Sequence, residues 1–313
     1  MTNFHVASFY RFTDIADPGL LRDRLQIECE SLSLLGTILV AAEGVNGTLT
    51  GAKDSIAALL KAIESAIDTA EPLQPRWTLA SEAPFRRMKV RVKKEIVTLG
   101  RPDIRPQSGT GRHVSHEEWN RLIRDPETLV IDTRNRYEIE VGTFPAAVDP
   151  ATDSFREFPE FVATLEENDK ARPVAMFCTG GIRCEKASAL MQDMGFENVN
   201  QLDGGILSYL ESVKSEENLW QGECFVFDTR VAVDRDLAEG GYVQCHACRR
   251  PLSDADLQSP HYREGVSCPR CVNAIEPDRA ERLEERRRQV RLARERGELH
   301  IGAVQDPPKP DAG

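Results

Sequence analysis

The chain has 313 residues, 40% apolar and 29% charged, which suits two or three globular domains and excludes a mainly disordered or collagen-like polymer. Forty basic residues against 51 acidic ones give a net charge of −11, which makes the chain a poor candidate for nonspecific coating of nucleic acid, and a polyanion partner would need a local basic patch. No run approaches the ~18 apolar residues of a membrane span. The opening MTNFHVASFYRF lacks a basic segment followed by an apolar core. The expectation is a cytoplasmic protein with no membrane partner, whose eight cysteines do not form a disulfide framework.

Residues 5–12 are apolar and aromatic and predict a strand. Residues 18–32 place Leu20, Leu21, Leu25 and Leu32 at helical spacing. The β-branched run 37–42 and the short run 47–50 predict two further strands, with Asn46-Gly47 between them as a hairpin turn. Ile56, Leu59, Leu60, Ile63 and Ile67 predict a helix, and alternation returns over 88–99. The order β-α-β-β-α-β is the split arrangement of ferredoxin-like α+β domains. Residues 101–114, rich in Pro, Gly and polar side chains, predict a linker between a domain at 1–100 and one at 115–232. In the second domain, helices are expected over 116–123, 155–165 and 185–194, and strands over 129–132, 173–177 and 199–202. This alternation implies a parallel sheet covered on both faces.

Cys178 follows the apolar strand PVAMF and opens the loop CTGGIRC ahead of a helix. Sites form at the carboxyl ends of strands in open α/β sheets. Gly180 and Gly181 let successive amides turn inward, and a helix N-terminus adds positive potential. A thiol there is expected to have a depressed pKa and to be nucleophilic, with Thr179 and Ile182 completing the loop. Arg183 either closes the ring or pairs with a carboxylate. Cys184 either resolves an adduct on Cys178 by exchange or is a small buried residue. Asp132, Arg134 and Glu138, at the end of a predicted strand, either orient the loop or tie the sheet end.

CTGGIRC resembles the persulfide-carrying loop of rhodanese domains. Ile131-Asp132-Thr133-Arg134 with Tyr137-Glu138 and Gly142-Thr143-Phe144-Pro145-Ala146 is similar to the first signature of that family, although many members have His where Thr143 stands; Asp203-Gly204-Gly205-Ile206 is similar to the last. Four residues separate Cys178 from Arg183, one fewer than in related dual-specificity phosphatases, which favours sulfur-sized cargo. Three wider stretches, Ala42-Glu43-Gly44-Val45-Asn46-Gly47-Thr48, CTGGIRCEKAS and Gly222-Glu223-Cys224-Phe225-Val226-Phe227-Asp228, resemble the bacterial tRNA uridine(34) hydroxylases. That resemblance implies oxygen-dependent formation of 5-hydroxyuridine at the wobble position, with Cys178 as the persulfide-forming catalytic residue.

Residues 84–106 carry eight basic side chains against Glu95 and Asp103. On a strand, Arg87, Lys89, Arg91 and Lys93 would share one face while Met88, Val90 and Val92 bury. Such a face suits a polyphosphate, here the anticodon arm of tRNA, or it is a solvated edge strand whose lysines block aggregation. Cys245, Cys248, Cys268 and Cys271 form C-x2-C-x19-C-x2-C, the spacing of a closed, structural zinc-ribbon-like site, or alternatively free or redox-active thiols. Residues 277–300 predict a charged helix that docks on tRNA or packs on the body, and 301–313 a disordered tail. The whole is thus an α/β multidomain chain: a ferredoxin-like domain, a rhodanese-like domain and a four-cysteine segment with its helix over 233–300. Molecular oxygen is the implied co-substrate and a sulfur donor a further partner; no flavin or nicotinamide motif is visible. The rival readings are a sulfurtransferase passing persulfide sulfur from Cys178, and a non-enzymatic RNA-binding module.

Overall fold

The computed structural model describes residues 4–67, 69 and 72–298; the expected tail at 301–313 and the end of the charged helix at Leu299 and His300 lie outside the described residues. The N-terminal unit runs β1 (Phe4–Phe12), α1 (Pro18–Ser31), β2 (Leu35–Ala41), β3 (Gly44–Gly51), α2 (Lys53–Ala66), β4 (Arg76–Ala80) and β5 (Met88–Val92). Asp17 caps α1 by accepting from the Leu20 amide at 2.9 Å, and Pro18 at its first turn lacks an N–H that would otherwise be unsatisfied. Leu21, Leu25, Ile56, Leu59 and Ile63 on the two helices bury against Ile38, Val40 and Leu49 of the sheet.

Strand order is β4-β1-β3-β2-β5, so β1 to β4 make the ferredoxin-like split and β5 is appended beside β2 in parallel. This corrects the reading of 88–99 as the fourth strand. That position belongs to RWTLA at 76–80, a short and partly exposed segment whose periodicity is weak. The turn between β2 and β3 is at Ala42 and Glu43, ahead of the expected Asn46-Gly47. Asn46 is paired within β3 and its side chain donates to the Ile96 carbonyl at 3.0 Å, a tie that outweighs its turn preference.

The second unit holds β6 (Arg112–Val114), α3 (His116–Leu122), β7 (Leu129–Asp132), α4 (Arg136–Ile139), β8 (Gly142–Thr143), α5 (Phe158–Val162), β9 (Val174–Phe177), α6 (Ile182–Asp193), β10 (Val199–Leu202) and α7 (Gly205–Ser212). Its parallel sheet has the order β6-β10-β9-β7. One face packs on Phe158, Leu190 and Met191, the other on Trp119, Phe144, Tyr209 and Trp220, which explains why β7, β9 and β10 are buried at every position and β9 is wholly apolar. Residues 101–114 are not a free tether. Ile104 is buried in the second core and β6 pairs with β10, because the polar stretch still carries a few apolar anchors.

The chain then forms β11 (Gln221–Gly222) against β8, β12 (Cys224–Phe225) against β13 (Ala232–Val233), and β14 (Val243–Gln244) against β15 (Pro251–Leu252). Two helices follow, α8 (Asp254–Leu257) and the charged α9 (Pro277–Glu295), which buries no residue completely. No helix among the described residues is long and apolar enough to cross a membrane.

Candidate active site

Cys178 stands at the carboxyl end of β9, a central strand, and its carbonyl and that of Thr179 accept from Ile206 and Leu207 at the start of α7 (2.9 and 3.1 Å). The loop is therefore pinned from both sides. Helix α6 begins at Ile182, ahead of the expected start at Glu185, which brings its free amides to the thiol. The Gly181 amide donates to Cys178 Sγ at 3.1 Å, and the amides of Arg183 and Cys184 also face it. Gly181 has φ +95°, and a Cβ there would meet the Tyr10 hydroxyl at 2.9 Å, so both conformation and space require glycine.

Arg183 pairs with Glu138 in two parallel bonds of 2.9 and 2.5 Å, both residues buried. Its carboxylate alternative is thus the one realised, while its charge still acts on Cys178. Burial works against ionisation of Cys178, yet the Cys184 thiol, the Arg183 charge and the loop amides outweigh it and bring the thiol down to about 6. Burial and the neighbouring Cys178 keep Cys184 protonated, well above the usual thiol range. Cys184 is fully buried, near Thr133 Oγ1 at 3.7 Å, and acts on Cys178 as a hydrogen-bond donor.

Behind the loop, Arg134 is completely buried and binds Asp132 through two bonds of 2.8 and 2.6 Å. It also donates to the Gly142 carbonyl at 2.6 Å, and Thr143 Oγ1 donates to Asp132 at 2.9 Å. Asp132 and Arg134 tie the sheet end, and Glu138 orients the loop through Arg183. Sequence reasoning named all three without choosing between these roles.

The N-terminal unit reaches the same helix. Tyr10 Oη donates to Glu185 at 2.9 Å, His113 Nε2 lies 3.0 Å from the same oxygen, and Gln201 donates to the other at 3.2 Å. Burial opposes the Glu185 charge, but these partners hold it ionised. One residue on, the buried Lys186 binds Glu95 at 2.6 Å and Glu43 at 2.8 Å. Tyr10, Glu43 and Glu95 come from the N-terminal unit, so α6 is clamped by two domains. Tyr10→Phe removes one bond to a buried carboxylate and is expected to cost about 1.5–3 kcal/mol; thermal or urea unfolding of the full chain checks this.

Between the units lies a cleft of about 990 Å³. Its floor includes Cys178, Thr179, Gly180 and Arg183; its walls include Tyr10, Arg76, Thr78 and Phe85 on one side and Phe227 on the other. Arg230, doubly bonded to Asp228, donates to Thr78 Oγ1 and the Leu79 carbonyl at 2.9 and 3.2 Å and closes the rim. Tyr10, Arg76 and Phe227 escaped sequence reasoning as site residues, because they reach the Cys178 cleft only through domain packing; Glu185, on α6 itself, entered that reasoning only as part of CTGGIRCEKAS. The FVF of the 222–228 stretch was their one visible signal.

The basic residues lie elsewhere. Lys89 and Arg91 are on β5 with Arg87 and Lys93 flanking it; none lines the cleft. Val92 is 48% exposed, not buried as expected, because β5 is an edge strand with β2 as its only sheet neighbour among the described residues. Arg249 of the C-terminal segment adds its charge near Lys89. There, the Sγ atoms of Cys245, Cys248, Cys268 and Cys271 all lie within 4.8 Å of one another, an arrangement that can hold a metal ion.

A thiolate cradled by a short loop at the end of a parallel strand defines a rhodanese-type site. Family models agree: a UPF0176 acylphosphatase like domain matches residues 4–96 and a Rhodanese-like domain matches 115–212. The chain is 52% identical over 299 residues to a tRNA uridine(34) hydroxylase of Mesorhizobium japonicum, covering 95% of this chain and 96% of that one. It is 49% identical to a protein of the same name from Teredinibacter turnerae, covering 96% and 94%. The chain belongs to the tRNA uridine(34) hydroxylase family.

Proposed function

We propose that this protein is a cytoplasmic enzyme that hydroxylates C5 of uridine 34 in tRNA, with Cys178 as the reacting group and molecular oxygen as co-substrate. The observation that carries this reading is the Cys178 thiolate, held by amides and Arg183 on the floor of a cleft roomy enough for a nucleotide. Cys178 is only 1% exposed, so a persulfide on it would bring the reacting sulfur about 2 Å further into the cleft.

Sulfur adds to C6 of the uracil and the electron pair moves to C5. C5 takes up O2 with a proton as a hydroperoxide, and a thiol-class reductant cleaves the O–O bond with two electrons and two protons, leaving C5–OH and water. Loss of the C5 proton and of the sulfur from C6 restores the ring double bond. Arg87, Lys89, Arg91 and Lys93 hold phosphates of the anticodon arm beyond the cleft, which makes binding salt-dependent.

The test is nucleoside mass spectrometry of tRNA from a strain lacking the gene. Loss of the uridine that is one oxygen atom heavier, restored by the wild-type gene, supports hydroxylation; an unchanged profile supports the sulfurtransferase rival.

Zinc fits the four-cysteine cluster. Zn–S bonds of about 2.3 Å in a tetrahedron set neighbouring sulfurs about 3.8 Å apart, and Cys245–Cys271 and Cys248–Cys268 are separated by 3.9 and 3.7 Å. Four thiolates leave no position for water, so the ion would be structural, stabilising a segment with few large apolar residues. Purified protein is expected to hold one zinc per chain by elemental mass spectrometry, and Cys268→Ser to lose most of it.

A further inference from the structure

Phe227 is the one aromatic residue among the exposed large apolar side chains of the described chain, at 63% exposure. Exposing a large ring to water forgoes much of the stabilisation its burial would give, yet this one is rigidly placed. It packs edge-on against the buried Phe225 at 5.1 Å and 87°, and Phe225 packs in the same way on Tyr137. The Arg183 guanidinium lies 5.8 Å from the Phe227 ring centre, so the ring adjoins the residue that follows the reactive loop. Two hydrogen bonds from the Arg230 guanidinium to the Asp228 carboxylate, both side chains buried, fix the backbone immediately after it.

Two polar groups in the same cleft lack partners. Arg76 extends from β4 across the domain boundary until its guanidinium touches Gly204, leaving no room for a Cβ there, and no carboxylate among the described residues pairs with it. Thr179, 9% exposed and next to Cys178, has a buried hydroxyl with no hydrogen-bond partner among the described residues. An aromatic ring, an unpaired cation and an orphan hydroxyl are what a nucleotide needs: a stacking surface, a phosphate partner and a contact to the base edge.

We infer that Phe227, Arg76 and Thr179 form the seat of the target nucleotide, Phe227 stacking on the splayed base, Arg76 binding its flanking phosphate and Thr179 bonding a ring oxygen or the ring N–H. This deepens the proposed function and rests on it. Phe227 and Arg76 act as positioning residues, setting where C5 and C6 lie relative to the sulfur.

The test uses the full chain with an anticodon stem-loop RNA, following both hydroxylation and binding by fluorescence anisotropy. Phe227→Ala is expected to weaken binding and lower kcat/KM by about 10–100-fold, the scale of one base–aromatic stack, and Phe227→Trp to recover most of both. Arg76→Gln is expected to raise KM more than it lowers kcat and to reduce the salt dependence by about one phosphate contact. Urea unfolding of each variant with the wild-type midpoint reports an intact fold. If Phe227→Ala binds and turns over like wild type, the seat is wrong. If wild type binds the stem-loop but does not hydroxylate it, the function reading fails. The anisotropy series then still decides the seat: weaker binding by Phe227→Ala upholds it and unchanged binding overturns it.

Discussion

Cys178→Ser is expected to abolish 5-hydroxyuridine in tRNA, a loss of roughly 10³-fold or more, with no loss of fold. The substitution is nearly isosteric and keeps the Gly181 amide supplied with an acceptor at the 3.1 Å position. What it removes is a group that ionises near neutral pH. The wild-type thiol, brought down to about 6, is mostly thiolate at pH 7, whereas an unperturbed thiol with a pKa of about 8.5 would be almost entirely protonated. The thiolate absorbance of wild type minus that of Cys178→Ser should therefore rise with pH through a midpoint of about 6 and stay high above neutrality, the cysteine cluster contributing equally to both proteins. Cys184 must not contribute in that range, since its burial beside Cys178 keeps it protonated. Full hydroxyuridine levels in a strain carrying only Cys178→Ser would remove Cys178 from the chemistry.

Arg183→Met should cost both stability and reactivity. Arg183 and Glu138 are buried together, so removing the cation strands a carboxylate in a low-dielectric pocket, at a cost of about 3–5 kcal/mol. The same change withdraws the positive charge that offsets the burial of Cys178, and its pKa should move up, towards or beyond the ordinary thiol range. The two effects separate in the double variant Glu138→Gln, Arg183→Met. It removes the stranded charge and should recover much of the stability, while the thiol stays protonated at neutral pH. Urea unfolding reads the first effect and thiolate absorbance against pH the second. An Arg183→Met protein with the wild-type titration midpoint would show that the amides alone ionise the thiol.

Much of this site was legible before any coordinates. The strand, loop and helix around Cys178 are local in sequence, and PVAMF, two glycines and Arg183 within a few residues leave little choice of geometry. The four cysteines were similarly legible, because ligand spacing within each C-x2-C is a local constraint. The errors fell where long-range pairing competes with local preference. Asn46-Gly47 has a strong turn signature, yet pairing along β3 and the Asn46 bond to Ile96 displaced the turn to Ala42 and Glu43. The alternating basic run does form a strand, over Met88–Val92 and so shorter than the expected 88–99, but its place at the sheet edge, away from the cleft, depends on β4 occupying the ferredoxin-like position first.

The sequence by itself determined the local geometry: which sulfur the glycine loop cradles and which four cysteines gather. These follow from contacts between residues close along the chain, where backbone geometry leaves few options. Only the tertiary structure decided what that sulfur can act upon. Tyr10 and Arg76 come from the first domain and Phe227 from beyond the second, and they surround Cys178 because Glu185 and the buried Lys186, Glu43 and Glu95 lock the domains together. Pairs so distant in sequence have no local periodicity to announce them, since burial energy and charge neutralisation are settled only when the domains meet.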